Sequence, residues 1–155
     1  MKVEYINPFI EAAQGVFKTL LDTDTTLGKV YLKDSPFSVC DMVIMIGVVG
    51  QIRGQVCLEL TSDTAEKIVS TMMGGISDFD MEEIGTSAIA ELGNMIMGNT
   101  CTIFSKNKVS IDITPPTVLS GDKIKISNKI ATITIPIIIE NYGSVNINVT
   151  AEEML

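Results

Sequence analysis

Two long amphipathic stripes, each followed by a succession of short apolar segments, constrain what this chain can fold into more than any other feature. From Val3 to about Asp22, apolar residues fall at Ile6, Phe9, Ile10, Ala13, Val16, Phe17, Leu20 and Leu21, the three-and-four spacing of one helical face. A shorter helix is predicted from about Asp63 to Met73, since Asp63 and Glu66 have capping-box spacing and Gly74-Gly75 supplies a left-handed stop. A third helical pattern starts at Asp80, with Glu83 three residues on, and continues to about Ser105. Strand signals fill the intervals: Thr26–Leu32, Ser38–Val49, Gln51–Leu60, Val109–Ile113, Lys123–Ile126, Ile130–Ile139 and Ser144–Val149. Strands that dominate between separated helices predict an α+β fold, a largely antiparallel sheet packed against long helices. A weak internal duplication of a helix-plus-strands unit is also visible. Glu11-Ala12-Ala13-Gln14 parallels Glu91-Leu92-Gly93-Asn94, and Gly54-Gln55-Val56 leading to Thr61 parallels Gly143-Ser144-Val145 leading to Thr150.

Composition removes several functions. The 155 residues suit a single domain spanning 1–155, and 11 Lys plus Arg against 19 Asp plus Glu leave a net charge of -8. With no cationic stripe to neutralise phosphates, nucleic acid is not an expected partner. The absence of His excludes a Ser-His-Asp triad, a Cys-His pair and an HExxH zinc site, so no metal centre is expected. Cys40, Cys57 and Cys101 lie far apart without a CxxC, and an odd number of them fits buried thiols in a reducing compartment. The start, Met1-Lys2-Val3-Glu4-Tyr5, has an acid where a signal peptide needs apolar residues, and the longest apolar run, Met42–Gly50, falls short of the ~18 residues a membrane helix needs. The expectation is a cytoplasmic protein without a membrane partner.

The third helix holds the candidate chemistry. Asp80, Glu83, Ser87, Glu91, Asn94 and Gly98 recur at steps of three and four along one face, with Ile84, Ala88, Leu92, Met95 and Ile96 read as lying largely on the other side. A polar stripe of this kind is commonly just a solvated face. Three glycines, Gly85, Gly93 and Gly98, argue for more, because each costs the helix about 1 kcal/mol relative to Ala and is tolerated where another surface approaches closely. Glu91 and Asn94 project together, offering a carboxylate for a cation and a carboxamide able to hold a water. Pro115-Pro116 cannot continue a strand and makes a fixed turn after Ile113.

The string Ser87-Ala88-Ile89-Ala90-Glu91-Leu92-Gly93-Asn94, with Asp112-Ile113-Thr114-Pro115-Pro116-Thr117-Val118 after it, resembles the signature of the CheC/FliY/CheX phosphatases of chemotaxis: an acidic or Ser residue, then ExxN, then a distant Pro. The single ExxN, Met72-Met73-Gly74-Gly75 and the chain length are most similar to the CheX branch, and the resemblance runs from about Phe9 to the C-terminus. It implies a phosphatase acting on the aspartyl phosphate of a CheY-type response regulator. In that reading Asn94 orients the hydrolytic water and Glu91 pairs with the receiver's Lys, while Ser87, Gly98 and Pro116 support or contact the partner. Mg²⁺ is supplied by the receiver rather than by this chain, in keeping with a reaction in which catalysis is mainly positioning and charge stabilisation.

The resemblance also implies a homodimer joined through its sheets. Ile130–Ile139 is a strand that would aggregate as an open edge, so pairing across a dimer would cover it, with Pro136 at a bulge, edge or strand end. Two-site relatives carry ExxN twice, whereas this chain has Gln14 after Glu11, an amide on a longer stem, so one working site per chain is expected. The rival reading is a non-catalytic adaptor that binds a receiver, or another chemotaxis or motor protein, through the same helix.

Overall fold

The computed structural model describes residues 1–154. The chain opens with helix α1 (Val3–Leu21), followed by strands β1 (Thr25–Leu27), β2 (Tyr31–Lys33), β3 (Phe37–Ser38), β4 (Met42–Gly50) and β5 (Ile52–Leu60), and then by helix α2 (Ser62–Met72). A π-helical turn over Met81–Gly85 leads directly into α3 (Thr86–Lys106). Strands β6 (Ile111–Ile113), β7 (Thr117–Ser120), β8 (Lys125–Ile126), β9 (Thr132–Ile139) and β10 (Gly143–Glu153) complete the order. Every ladder is antiparallel, and the main sheet runs β1-β9-β10-β5-β4-β6, with β2 also beside β9 and β7 also beside β4. This is the expected α+β architecture.

The period of two along the central strands divides the sheet into unlike faces. Ile44, Ile46 and Val48 of β4, Val56, Leu58 and Leu60 of β5, and Val145, Ile147 and Val149 of β10 join Phe9, Val16, Phe17, Ile68, Ile89, Leu92 and Ile96 of the helices in one apolar core. The alternate residues Val43 and Cys57 meet Phe37 and Ile126 of the small β3–β8 sheet on the opposite face. That face also buries a polar group. Glu59, 4% exposed, accepts from Asn148 Nδ2 at 2.7 Å and pairs with Lys33 Nζ at 3.5 Å, while Thr134 Oγ1 donates to Asn148 Oδ1 at 2.7 Å. The near-complete burial of Glu59, with Lys33 only partly buried, is tolerable because neighbouring amides share the carboxylate's unmet hydrogen bonds.

Several local expectations are corrected. The segment 26–32 is two strands, because Gly28–Val30 leaves the ladder between them. Thr61, not Asp63, caps α2: its hydroxyl accepts from the Thr64 N–H at 3.2 Å. Gly74 and Gly75 do provide the left-handed stop, at φ of 77° and 93°. β7 is an additional strand after the proline pair. Pro136, expected at a bulge, an edge or the strand's end, lies inside β9 beside the irregularity where β1 gives way to β2. Its carbonyl accepts from Gly28 N at 2.8 Å, so its missing N–H faces the gap between β1 and β2, where no ladder bond is lost. β9 is likewise not an edge, since β10 flanks it on one side and β1 with β2 on the other. The chain covers its own most apolar strand, and the need for a partner to do so disappears. Of the three thiols only Cys57 is buried; Cys40 and Cys101 are half-buried.

Candidate functional site

α3 is firmly anchored in the fold. Phe104 stacks edge-on against Phe9 at 5.7 Å between ring centroids, and Ile89, Leu92, Ile96 and Met97 are buried beneath it. Gly93 explains how closely the helix sits on the sheet, since a Cβ there would lie 2.8 Å from Ile44 Cγ2 of β4. Gly85 is equally internal: a Cβ would collide with the Met81 sulfur folded across the π-turn. Two of the three helix glycines therefore serve packing within the chain. The third does not, because a Cβ at Gly98 would meet nothing within 4 Å.

Along the outward face, Ser87, Glu91 and Asn94 are exposed and Gly98 is half-exposed, which places them in one line down a rigid helix. Ser87 does not reach the Glu91 carboxylate; its Oγ donates to the Glu83 carbonyl at 3.1 Å and ties the first turn of α3 to the π-turn. Glu91 takes part in none of the three ion pairs formed among the described residues. Its carboxylate and the Asn94 amide are free to engage another molecule. The third cysteine adds no nucleophile here: burial and the Asp112 charge push the Cys101 thiol up, away from thiolate. Burial likewise pushes Cys57 up to about 11.

Pro116, half-buried, belongs to the short Thr114–Pro116 break between β6 and β7, both of which pack beside α3. Thr114 fixes that break. Its N–H donates to the Gly47 carbonyl at 3.0 Å while its hydroxyl accepts from the Gly47 N–H at 2.8 Å, and a Cβ at position 47 would crowd the Thr114 side chain at 3.0 Å. Sequence reasoning identified the proline turn but not this clamp. It also misplaced Ile84, which is 46% exposed on the same side as Ser87. Ile84 lies inside the π-turn, where a 3.6-residue count does not apply, so periodicity did not report its exposure.

Helices packed on one face of a largely antiparallel sheet make this a CheC-like α+β protein. A CheC-like superfamily protein from Shewanella shares this fold at a TM-score of 0.84 and 28% identity, over 98% of this chain and 99% of that one. The family model described as chemotaxis phosphatase CheX matches residues 42–148, and the CheY-P phosphatase CheX of Thermotoga maritima is 33% identical over 137 residues, 88% of each chain. This chain belongs to the CheX family. It is also similar, at a TM-score of 0.81 and 26% identity over 98% of this chain and 100% of that chain, to a structure from Borrelia burgdorferi, that of a CheX-CheY-BeF3-Mg²⁺ complex.

Proposed function

We propose that this chain is a phosphatase of CheY-type response regulators, removing the receiver's aspartyl phosphate through the Glu91–Asn94 face of α3. The single observation that supports it best is that both side chains stand exposed, outside every ion pair among the described residues, on a well-packed helix of a CheX-family fold. Docking lays that face over the receiver's phosphorylation site. Asn94 inserts its carboxamide, accepting a hydrogen bond from a water and donating one to a phosphoryl oxygen, so that the water lies in line with the phosphorus. The water oxygen–phosphorus bond forms as the phosphorus–carboxylate oxygen bond breaks. The products are the receiver's free carboxylate and inorganic phosphate, which keeps the water's protons. Glu91 pairs with a cation of the receiver and holds the register. Mg²⁺ bound by the receiver would neutralise the phosphoryl charge; the complex of the Borrelia relative with CheY contains BeF3 and Mg²⁺.

Gly98 admits the partner's surface one turn beyond Asn94, and Pro116 borders the same face from the β6–β7 break. Residues 1–155 work as one domain, a reading supported by the single core that joins all three helices to the sheet. Two copies associate through sheet edges. The sheet's edges are β1 with β2, where Leu27, Tyr31 and Leu32 are exposed, and β6 with β7; β9 is not one of them, and the more apolar β1–β2 edge suits such pairing best. Activity on an intracellular signalling receiver places the protein in the cytoplasm.

The deciding experiment follows the lifetime of the aspartyl phosphate on a cognate receiver with Mg²⁺ present. Asn94→Ala is expected to lose about 100-fold in rate with binding retained, the pattern of an interaction made in the transition state. Glu91→Ala is expected to weaken binding as well. A wild-type protein that binds the receiver but leaves its phosphate lifetime unchanged would establish the adaptor reading instead.

A further inference from the structure

We infer that Ile84 is the apolar anchor of the receiver-docking face and sets the protein's affinity for its partner, an inference that rests on the docking role just proposed for α3. The observation is a large apolar side chain turned toward water at the end of a polar stripe. Ile84 is 46% exposed, and among the described residues of the π-turn and α3 no other large apolar side chain is exposed. A single exposed isoleucine is unremarkable on most surfaces. Here its position is built.

The N–H groups of Ile84 and Gly85 both donate to the Asp80 carbonyl, at 2.9 and 3.1 Å, and the Thr86 N–H donates to the Met81 carbonyl, the five-residue reach of a π-turn. Widening the turn lets Met81 fold inward against Gly85, where a Cβ would require the Met81 side chain to shift. Phe79 and Met81 pack against the core, Gly85 is buried, and Ile84 is left on the outside. Ile84 is exposed, as are Ser87 three residues on and Glu91 and Asn94 beyond it, so the isoleucine borders the face that presents Glu91 and Asn94. Around it stand the exposed carboxylates of Asp80, Glu83 and Glu91, none of them in an ion pair among the described residues.

An exposed apolar side chain beside unpaired carboxylates offers a partner both apolar contact and a charge to match. It fits a receiver surface that offers an apolar depression bordered by Lys or Arg beside the phosphorylation site. Charge on this chain and charge on the partner are then complementary, and the acidic surround steers the encounter.

The test measures two quantities for Ile84→Gln, Ile84→Leu and Asn94→Ala: the Kd for a receiver held active with BeF3 and Mg²⁺, and kcat and KM on the phosphorylated receiver. Ile84→Gln should raise Kd and KM together by about tenfold, the scale of burying part of one aliphatic side chain, with little change in kcat. Ile84→Leu should recover most of the affinity. A Kd for Ile84→Gln equal to that of the wild type, at an unaltered melting temperature, overturns the inference and leaves the phosphatase reading intact. Weakened binding by Ile84→Gln in a protein that shows no hydrolysis at all supports the anchor and overturns the catalytic reading.

Discussion

Gly98 has no explanation inside the molecule. Glycine in a helix interior costs about 1 kcal/mol against Ala, and no neighbour in this fold crowds the position. The missing side chain fits the docking role proposed for this face. Gly98→Leu should fold with an unchanged or higher melting temperature while raising KM for the phosphorylated receiver about tenfold or more, as the added side chain holds the partner off. A variant with wild-type KM would show that the gap is never occupied. At this scale the sequence was readable wherever chemistry is local. Glu91 and Asn94 lie three apart on a helix, so helical geometry alone puts them on one face. Ile84 and the Thr114–Gly47 clamp were not found, for two reasons. The π-turn couples Ile84's direction to the packing of Met81, and the clamp joins residues 67 positions apart.

Among the elements, the long helices and central strands followed from periodicity, while the short pieces did not. β1, β2, β3 and β8 hold two or three residues each and exist through their ladders with β9 or with each other, which no local pattern reports. The start of α2 shows the same dependence. The free helix N–H groups are met by Thr61 and also by Asp41, twenty-one residues earlier, whose carboxylate accepts from the Ser62 N–H at 3.0 Å and from the Ser62 hydroxyl at 2.6 Å. The hydroxyl bond holds the Asp41 carboxyl below the ordinary aspartate range. Folding thus favours its ionised form: the stabilisation is complete above about pH 4 and is lost as pH falls through the lowered value. Asp41→Ala should destabilise by about 1 kcal/mol or less at neutral pH, a magnitude limited by the group's exposure to water. Thermal melts of the two proteins should converge below about pH 4, and a constant difference down to pH 2 would assign the loss to something other than the carboxylate.

Across the whole molecule, the faint sequence duplication becomes a register. Leu27 pairs with Ile137 as Ile113 pairs with Val48, Tyr31 with Thr134 as Thr117 with Met45, and the Gly28 N–H bonds to the Pro136 carbonyl as the Thr114 N–H bonds to that of Gly47. Each unit's initial strands pair with the other unit's hairpin, about a pseudo-twofold between β5 and β10. On α1, Phe9, Ala12, Ala13, Val16 and Phe17 are buried in the same order as Ile89, Leu92, Gly93, Ile96 and Met97 on α3, which sets Glu11 against Glu91 and Gln14 against Asn94. The units part at their ends, where Thr61 starts α2 but Thr150 continues β10. They part at their sites too. Where the α3 side has Ser87, Ala90, Pro116 and Thr117, the α1 side has Asn7, Ile10, Val30 and Tyr31, lining an apolar groove of about 460 Å³. Shortening Gln14 by one methylene restores the ExxN string without restoring the surface that a receiver would have to fit. In the Asn94→Ala background, Gln14→Asn should leave phosphatase activity within about twofold of the single variant, because positioning depends on the whole docking face and not on the amide alone. Recovery to near the wild-type rate would mean that α1 docks receivers as it stands, and that the motif, rather than the groove beside it, determines which helix of the pair is active.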